Sequence, residues 1–100
     1  MEYAGAIYHV MSRGDHSEAV FRTDDDRLSL RATLGEVCAR TGWHIHAYVL
    51  VGNHYHLLVE TPEPNLVAGM QWLQGTYTKR FNARHRLWGH FFRPLQIDSG

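Results

Sequence analysis

Residues 43–60 read WHIHAYVLVGNHYHLLVE, and this stretch decides the fold. On each side of Gly52-Asn53, apolar and polar residues alternate with the period of two that is typical of a half-buried β-strand. A glycine–asparagine pair between two such runs favours a tight turn. The stretch therefore predicts a β-hairpin made of strands 43–51 and 54–60.

Strict alternation assigns the side chains of this hairpin to two faces. In the second strand, Tyr55, Leu57 and Val59 are expected to point towards the helices. His54 and His56 should then stand side by side on the opposite, uncovered face. In the first strand, one face is expected to hold Trp43, Ile45, Ala47, Val49 and Val51, and the other His44, His46, Tyr48 and Leu50.

The uncovered His-x-His pair is the sharpest chemical feature of the sequence. The neutral imidazoles of His54 and His56 can bind one divalent cation, but two alone make a weak site, so a third ligand must come from elsewhere. His44 and His46 are candidates for that ligand or for a supporting partner; the alternative is a solvent-exposed His44 and a hydrogen-bonded His46. A hydrolytic phosphodiesterase or nucleotide hydrolase with a His-x-His-x-His motif is disfavoured, because Leu58 stands at the third position.

The residues before the hairpin predict a strand and a helix. Residues 6–11 alternate and favour a strand, which a turn cluster at 12–15 closes. Thr23 precedes three aspartates and suits a helix N-cap, and Gly42 suits the position just beyond the helix end. The apolar face of that helix is expected to comprise Leu28, Leu34, Val37 and Cys38, with Leu30 off the face.

The residues after the hairpin predict a second helix and a final short strand. The helix is expected over 66–84, although Gly75 weakens its middle. The strand is expected within 90–97, where Pro94 restricts it to a sheet edge. The order β-α-β-β-α-β predicts an α+β, ferredoxin-like fold with one antiparallel sheet and two helices on one face. The apolar face of the second helix comprises Leu66, Met70, Leu73, Tyr77 and Phe81.

Length and composition indicate an ordinary globular chain. With 100 residues, of which 44% are hydrophobic and 20% charged, one domain over residues 1–100 is expected. No apolar run reaches the roughly 18 residues that a membrane span needs, and the first residues lack the basic and apolar regions of a signal peptide. Cys38 is the single cysteine and cannot form an internal disulfide, so a cytoplasmic location is expected.

A net charge of zero conceals a separation of charge along the chain. Residues 1–63 hold five arginines and nine acids, a net charge of −4, whereas residues 64–97 hold five cations and no acid. A local basic surface is what binding to a polyanion requires, although cations also suit the solvated C-terminal end of a helix. The candidate DNA-binding residues are Arg13, Lys79, Arg80, Arg84 and Arg86, with Trp88, Phe91 and Phe92 nearby to stack on unpaired bases. The spacing of the other four histidines indicates no particular role, and they are expected to lie in loops or on the surface or to contact phosphate. These are His9, His16, His85 and His90.

Several motifs occur in an order that resembles a known family. The segments 8–14 (YHVMSRG), 43–50 (WHIHAYVL), 53–59 (NHYHLLV) and 70–77 (MQWLQGTY) resemble those of the single-tyrosine HUH transposases. Within that family the chain is most similar to the REP-associated branch, which is related to the transposase of insertion sequence two hundred. The resemblance covers residues 3–93, nearly the whole chain.

This resemblance implies a metal-dependent reaction on DNA. Members of the family hold Mg or Mn on the His-hydrophobic-His strand of a ferredoxin-like domain, which makes His54 and His56 the implied metal ligands. The ion polarises the scissile phosphate of single-stranded or hairpin DNA, and a tyrosine attacks it to leave a 5′-phosphotyrosine and a free 3′-hydroxyl. The expected function is that of a transposase domain for DNA strand cleavage and transfer.

The sequence departs from the family pattern after its last strand. The nucleophilic tyrosine and the third metal ligand of the family lie on a helix at that point, and no such segment is found before Gly100, so the nucleophile is unassigned. Tyr77 is a weak substitute, because it lies on the apolar stripe with Leu73 and Phe81. The alternative function is a non-catalytic nucleic-acid-binding module of the same fold, and the edge strand within 90–97 could pair with a second copy as a homodimer.

Overall fold

Two α-helices, four strands and a short 3₁₀-helix (Asp15–Ser17) make up the regular structure of the described residues, 2–89 and 92–99, of which only the side chains of Ser17 and Ser99 are left undescribed. In this computed structural model the elements are β1 (Ala6–Arg13), α1 (Asp24–Thr41), β2 (His44–Val51), β3 (His54–Thr61), α2 (Leu66–His85) and β4 (Gln96–Ser99). The strands form one antiparallel sheet in the order β2-β3-β1-β4. This architecture confirms the predicted α+β, ferredoxin-like order.

Both helices pack on one face of this sheet. Tyr55, Leu57 and Val59 point from β3 into the core, with at most 1% of each residue exposed, as the alternation predicts. The predicted apolar face of α2 is also completely buried. Within the part of the chain that the structure describes, the opposite sheet face carries no helix, and neither helix has the length and apolar character needed to traverse a bilayer.

The first helix begins and ends as predicted, but its buried face is rotated. Thr23 and Asp26 form a reciprocal capping box at its start, and Gly42 follows its end with a φ of 78°. Leu28, predicted on the apolar face, is 56% exposed, whereas Leu30, predicted off that face, is 1% exposed. The buried positions follow a helical i, i+3, i+4, i+7 pattern, comprising Leu30, Thr33, Leu34 and Val37.

A β-bulge in β2 breaks the predicted alternation. Ile45 pairs with Val59 and Ala47 pairs with Leu58, so His46 is an extra residue between two successive pairs. The odd-numbered side chains before the bulge, Trp43 and Ile45, therefore face the helices, whereas Ala47 and the valines that follow it lie on the uncovered face. The predicted common face for the odd-numbered residues of this strand is wrong for this reason.

The outer strands differ in extent from their predictions. β1 runs two residues beyond its predicted end, since the β1–β3 register continues until Arg13 pairs with His54. β4 begins only at Gln96, after Pro94, which has no N–H to donate to a neighbouring strand. The residues at which the predicted strand began, His90 and Phe91, lie outside the described residues.

A buried carboxylate joins the start of α1 to the end of α2. Asp26 is 0% exposed, and it accepts hydrogen bonds from Arg84 Nε at 2.7 Å and His85 Nε2 at 2.8 Å. It also accepts from the backbone N–H groups of Arg22 and Thr23. Burial raises the pKa of this carboxyl, but the hydrogen bonds outweigh burial, and the net shift is downwards. Asp26 therefore stays ionised and ties the two helices together.

Candidate metal and DNA-binding site

His54 and His56 lie on the uncovered face of the sheet. Tyr55, which separates them along β3, is completely buried on the helix side, so the two imidazoles project from the other side. Both histidines are half-buried, and their ring centroids are 5.1 Å apart with an interplanar angle of 82°. Two imidazoles at this separation can approach one cation.

A third imidazole, that of His9 on β1, contacts this pair. His9 Nε2 lies 3.1 Å from His56 Nδ1, and the two rings are stacked with centroids 5.2 Å apart. In the β1–β3 register His9 is opposite Leu58, which makes it a diagonal neighbour of His56. Spacing along the sequence does not indicate this contact, because it depends on how the two strands pair.

Hydrogen bonds determine which ring nitrogens of the pair are available. Asn53 Oδ1 can only accept, so His54 Nδ1, at 2.8 Å, donates to it and His54 Nε2 keeps a lone pair. His9 Nδ1 lies 3.9 Å from Asp98 Oδ2. In the tautomer that carries the His9 proton on that side, His9 would accept at Nε2 from the Nδ1–H of His56. His56 Nε2 then also keeps a lone pair.

The electrostatic surroundings of His56 favour its neutral form. Partial burial lowers the pKa of His56, and the neighbouring His54 and His9 lower it further, since adjacent positive charges repel. A neutral imidazole is the form that binds a metal ion. His56 is therefore ready to act as a ligand at neutral pH.

The second His-x-His motif lies away from the first. His46 Nε2 donates to Glu60 Oε1 at 2.9 Å, and His44 is opposite Glu60 in the β2–β3 register. At about 3.3 Å per residue, Glu60 is roughly 13 Å beyond His56 along the strand. The expected alternative, a hydrogen-bonded His46, is confirmed. Among the described side chains, no group of three or more His, Cys, Asp or Glu is arranged to hold a metal ion.

Tyr77, the weak candidate nucleophile, is a core residue. Its hydroxyl donates to the carbonyl of Val20, and the residue is completely buried. Tyr55 is buried as well, and its hydroxyl accepts from Gln74 Nε2 at 2.7 Å. Burial raises the pKa of both phenols, so neither is prepared to attack a phosphate.

Two of the predicted DNA-binding cations have acidic partners within the chain. Arg80 forms an ion pair with Glu36 at 2.5 Å, and Arg84 forms one with Asp26 at 2.5 Å. Both contacts cross from α2 to α1. These guanidinium groups contribute to helix packing in the structure.

The other predicted cations lie at two separate surfaces. Lys79 and Arg86 border an open cavity of about 550 Å³ beside Trp88, which is 96% exposed. Arg13 lies instead at the end of β1, opposite His54 in the register, and is exposed. Of the other aromatic residues predicted to stack on bases, Phe92 packs on Tyr55 and Tyr77, and Phe91 lies outside the described residues.

Comparisons with known proteins point to one family. A family model described as IS200-like transposase matches residues 2–94. The structure of a REP-associated tyrosine transposase bound to a REP hairpin has a TM-score of 0.78 and 16% identity, and the match covers 100% of this chain and 59% of that one. A structure from Deinococcus radiodurans R1, described as a candidate transposase, has a TM-score of 0.76 and 18% identity, covering 98% and 82%. No curated protein matches the chain.

Proposed function

The chain belongs to the family of IS200-like transposases, and from this premise we propose that it binds single-stranded or hairpin DNA on the uncovered sheet face and takes part in DNA strand cleavage and transfer. His54 and His56 hold the divalent cation, Mg or Mn, that this reaction needs. The observation that carries the proposal is the pair of neighbouring imidazoles on the uncovered face, with ring centroids 5.1 Å apart.

The donor set fits a cation that works on a phosphate. Mg and Mn prefer oxygen ligands, so a site with only His54 and His56 from β3 leaves coordination positions for phosphate and water oxygens. When bound, the ion would polarise the phosphate and stabilise the charge that develops during cleavage. The contribution of this chain is to hold two neutral imidazoles on a rigid inner strand.

DNA contacts outside the histidine pair are assigned to the candidate cations that have no acidic partner among the described residues. Arg13 is assigned to the DNA near His54, and Lys79 and Arg86 to a second contact beside Trp88. Arg80 and Arg84 are assigned to helix packing, because Glu36 and Asp26 already neutralise them. Pairing of two copies at the edge of the sheet and a cytoplasmic location remain predictions.

A preference for unpaired bases is the first expected result. Stacking of one base on an exposed aromatic side chain such as Trp88 is worth about 1–3 kcal/mol, so single-stranded and hairpin oligonucleotides should bind about tenfold more tightly than a blunt duplex. Fluorescence anisotropy with labelled oligonucleotides measures this, and Mn²⁺ should strengthen binding relative to a chelator. Equal affinity for all three DNAs, with no effect of Mn²⁺, would contradict the proposal.

A specific observation also favours the non-catalytic alternative, a nucleic-acid-binding module. Tyr55 and Tyr77 are buried, and neither supplies a nucleophile beside the histidine pair. The same oligonucleotides separate the two functions when they are incubated with Mn²⁺ and examined on a denaturing gel. Cleaved or covalently attached DNA supports the reaction, whereas tight binding that is independent of Mn²⁺ supports the module.

His9 is expected to act on the metal site through His56. The His9→Phe variant keeps an aromatic ring on β1 but removes the nitrogen that lies 3.1 Å from His56 Nδ1. Loss of such a supporting contact typically weakens metal binding by about 10–100-fold. Calorimetric titration with Mn²⁺ measures the effect, and His44→Phe, at the far end of the hairpin, is the matched control. Wild-type affinity in the His9 variant would show that this contact has no role.

A further inference from the structure

An open cavity of about 340 Å³ lies on the β1 side of the histidine pair. Its cationic lining consists of Arg13 on β1 and Arg93 on the segment before β4. The Arg93 backbone N–H donates to the Arg13 carbonyl at 2.9 Å, so the two residues are held beside each other. The rest of the lining comprises Met11, Pro94, Leu95 and Gln96.

The two guanidinium groups of this cavity are chemically available. Within the described residues, neither Arg13 nor Arg93 forms an ion pair, unlike Arg80 and Arg84. Arginine presents a planar fork of donors that matches a phosphate oxygen pair, and it is always charged. Asp98, the acid of β4, lies two residues beyond Gln96, and its carboxylate is 3.9 Å from His9 Nδ1. Two adjacent arginines without acidic partners therefore form a site for a phosphate group.

Strand register places this site directly next to the histidine pair. Arg13 is opposite His54 and Met11 is opposite His56, and paired strands lie about 4.8 Å apart. A ligand that crosses the sheet from β3 to β1 would therefore pass from the imidazoles to the guanidinium groups over the distance between two paired strands. This distance is short enough for two neighbouring phosphates of one DNA strand to reach both sites.

A second cavity, of about 270 Å³, lies beside His56 on the uncovered face. Its lining comprises the imidazoles of His9 and His56 and apolar side chains, among them Ala47 and Val49 of β2 and Leu58 of β3. An apolar flank suits a nucleobase, and a cationic flank suits the backbone. The uncovered face is thus asymmetric across the histidine pair.

We propose that Arg13 and Arg93 bind the DNA phosphate that adjoins the phosphate held at His54 and His56, with a nucleobase on the apolar flank. This inference rests on the proposed function and adds to it a second phosphate site and an orientation of the DNA strand across the sheet. The strand crosses the sheet with its backbone towards β1 and β4 and its bases towards β2. The spacing of residues along the sequence does not indicate a role for Arg93, because only the fold brings it beside Arg13.

The salt dependence of binding tests the second phosphate site. For single-stranded DNA, each neutralised phosphate contributes about −0.7 to the slope of log K against log salt concentration. Because the two arginines share one phosphate, the double variant Arg13→Ala with Arg93→Ala should reduce the magnitude of this slope by about 0.7 in KCl titrations of a labelled single strand. Arg31→Ala removes an exposed arginine from α1, on the helix side of the sheet, and should leave the slope unchanged.

Oligonucleotides with one neutral methylphosphonate linkage locate the contact. In the wild-type protein, moving this linkage along the strand should reveal one position that weakens binding and that adjoins the Mn²⁺-sensitive position. In the double variant Arg13→Ala with Arg93→Ala the same substitution should cost nothing further. If the wild-type protein binds single strands but this double variant keeps the full slope and the full methylphosphonate effect, this inference fails while the proposed function stands. If the wild-type protein does not bind single strands, both fail.

Discussion

The Asp26→Asn variant is expected to lose about 3 kcal/mol of unfolding free energy in urea denaturation. The carboxylate of Asp26 is completely buried and accepts from the side chains of Arg84 and His85 on α2 and from the backbone N–H groups of the two residues before α1. Asparagine has nearly the same shape but lacks the charge that balances Arg84. Breaking a buried charge pair from one side leaves the other charge uncompensated, which is why the effect is large.

The effect of Asp26→Asn on the unfolding free energy is expected to depend on pH. The native pKa of Asp26 is below its ordinary value of 3.8, so its charged form stabilises the fold at neutral pH. That contribution is fully present above pH 3.8 and is lost as the pH falls through the lowered native pKa. The difference in unfolding free energy between wild type and variant should therefore shrink in this acid range.

An exposed ion pair between the same helices supplies the control. Glu36 pairs with Arg80 on the surface, so Glu36→Gln should have the stability of the wild type within error. If Asp26→Asn were no more destabilising than Glu36→Gln, the buried carboxylate would not be what joins α1 to α2.

Replacing His54 and His56 together by alanine is expected to abolish measurable Mn²⁺ binding, a loss of more than about 100-fold. Both imidazoles are removed from β3, while Tyr55 between them stays in the core. The fold should survive, because the two histidines lie on the uncovered face and their neighbours on the helix side are unchanged. Calorimetry with Mn²⁺ measures the loss, and far-ultraviolet circular dichroism checks the fold.

The chain offers a matched control in its other His-x-His motif. The double variant His44→Ala with His46→Ala also removes two imidazoles that are two residues apart, but it removes them from β2. Since His46 forms a hydrogen bond with Glu60 and lies far from His56, the Mn²⁺ affinity of this variant should equal that of the wild type. A comparable loss in both double variants would mean that Mn²⁺ binds histidines of this chain without selecting the proposed site.

The regular elements were largely predictable because periodicity reports burial. The period of two in β3 and the helical stripe of α2 both describe faces that are completely buried, so sequence and structure agree there. In α1 two interleaved apolar sets compete, and the set containing Leu28 is the exposed one. The charged residue Asp26 also lies on the buried face of α1. A search for apolar residues therefore misses one position of that face.

The candidate site was predictable only where it lies within one strand. His54 and His56 share a face because they are two residues apart, which is a property of β3 alone. His9 and Arg93 reach the site through strand pairing and through the return of the chain beside Arg13, which local spacing does not contain. For the same reason the bulge at His46 could not be foreseen, since it is a property of how β2 pairs with β3.

The central claim is that the imidazoles of His54 and His56 bind one divalent cation, and nuclear magnetic resonance of the ¹⁵N-labelled histidine rings in the wild-type protein tests it most directly. Substoichiometric Mn²⁺ should broaden the Nε2 signals of His54 and His56 first, while the signals of His44 and His46 stay sharp. Broadening of His44 and His46 with the β3 pair unaffected, or no broadening of any ring, would contradict it.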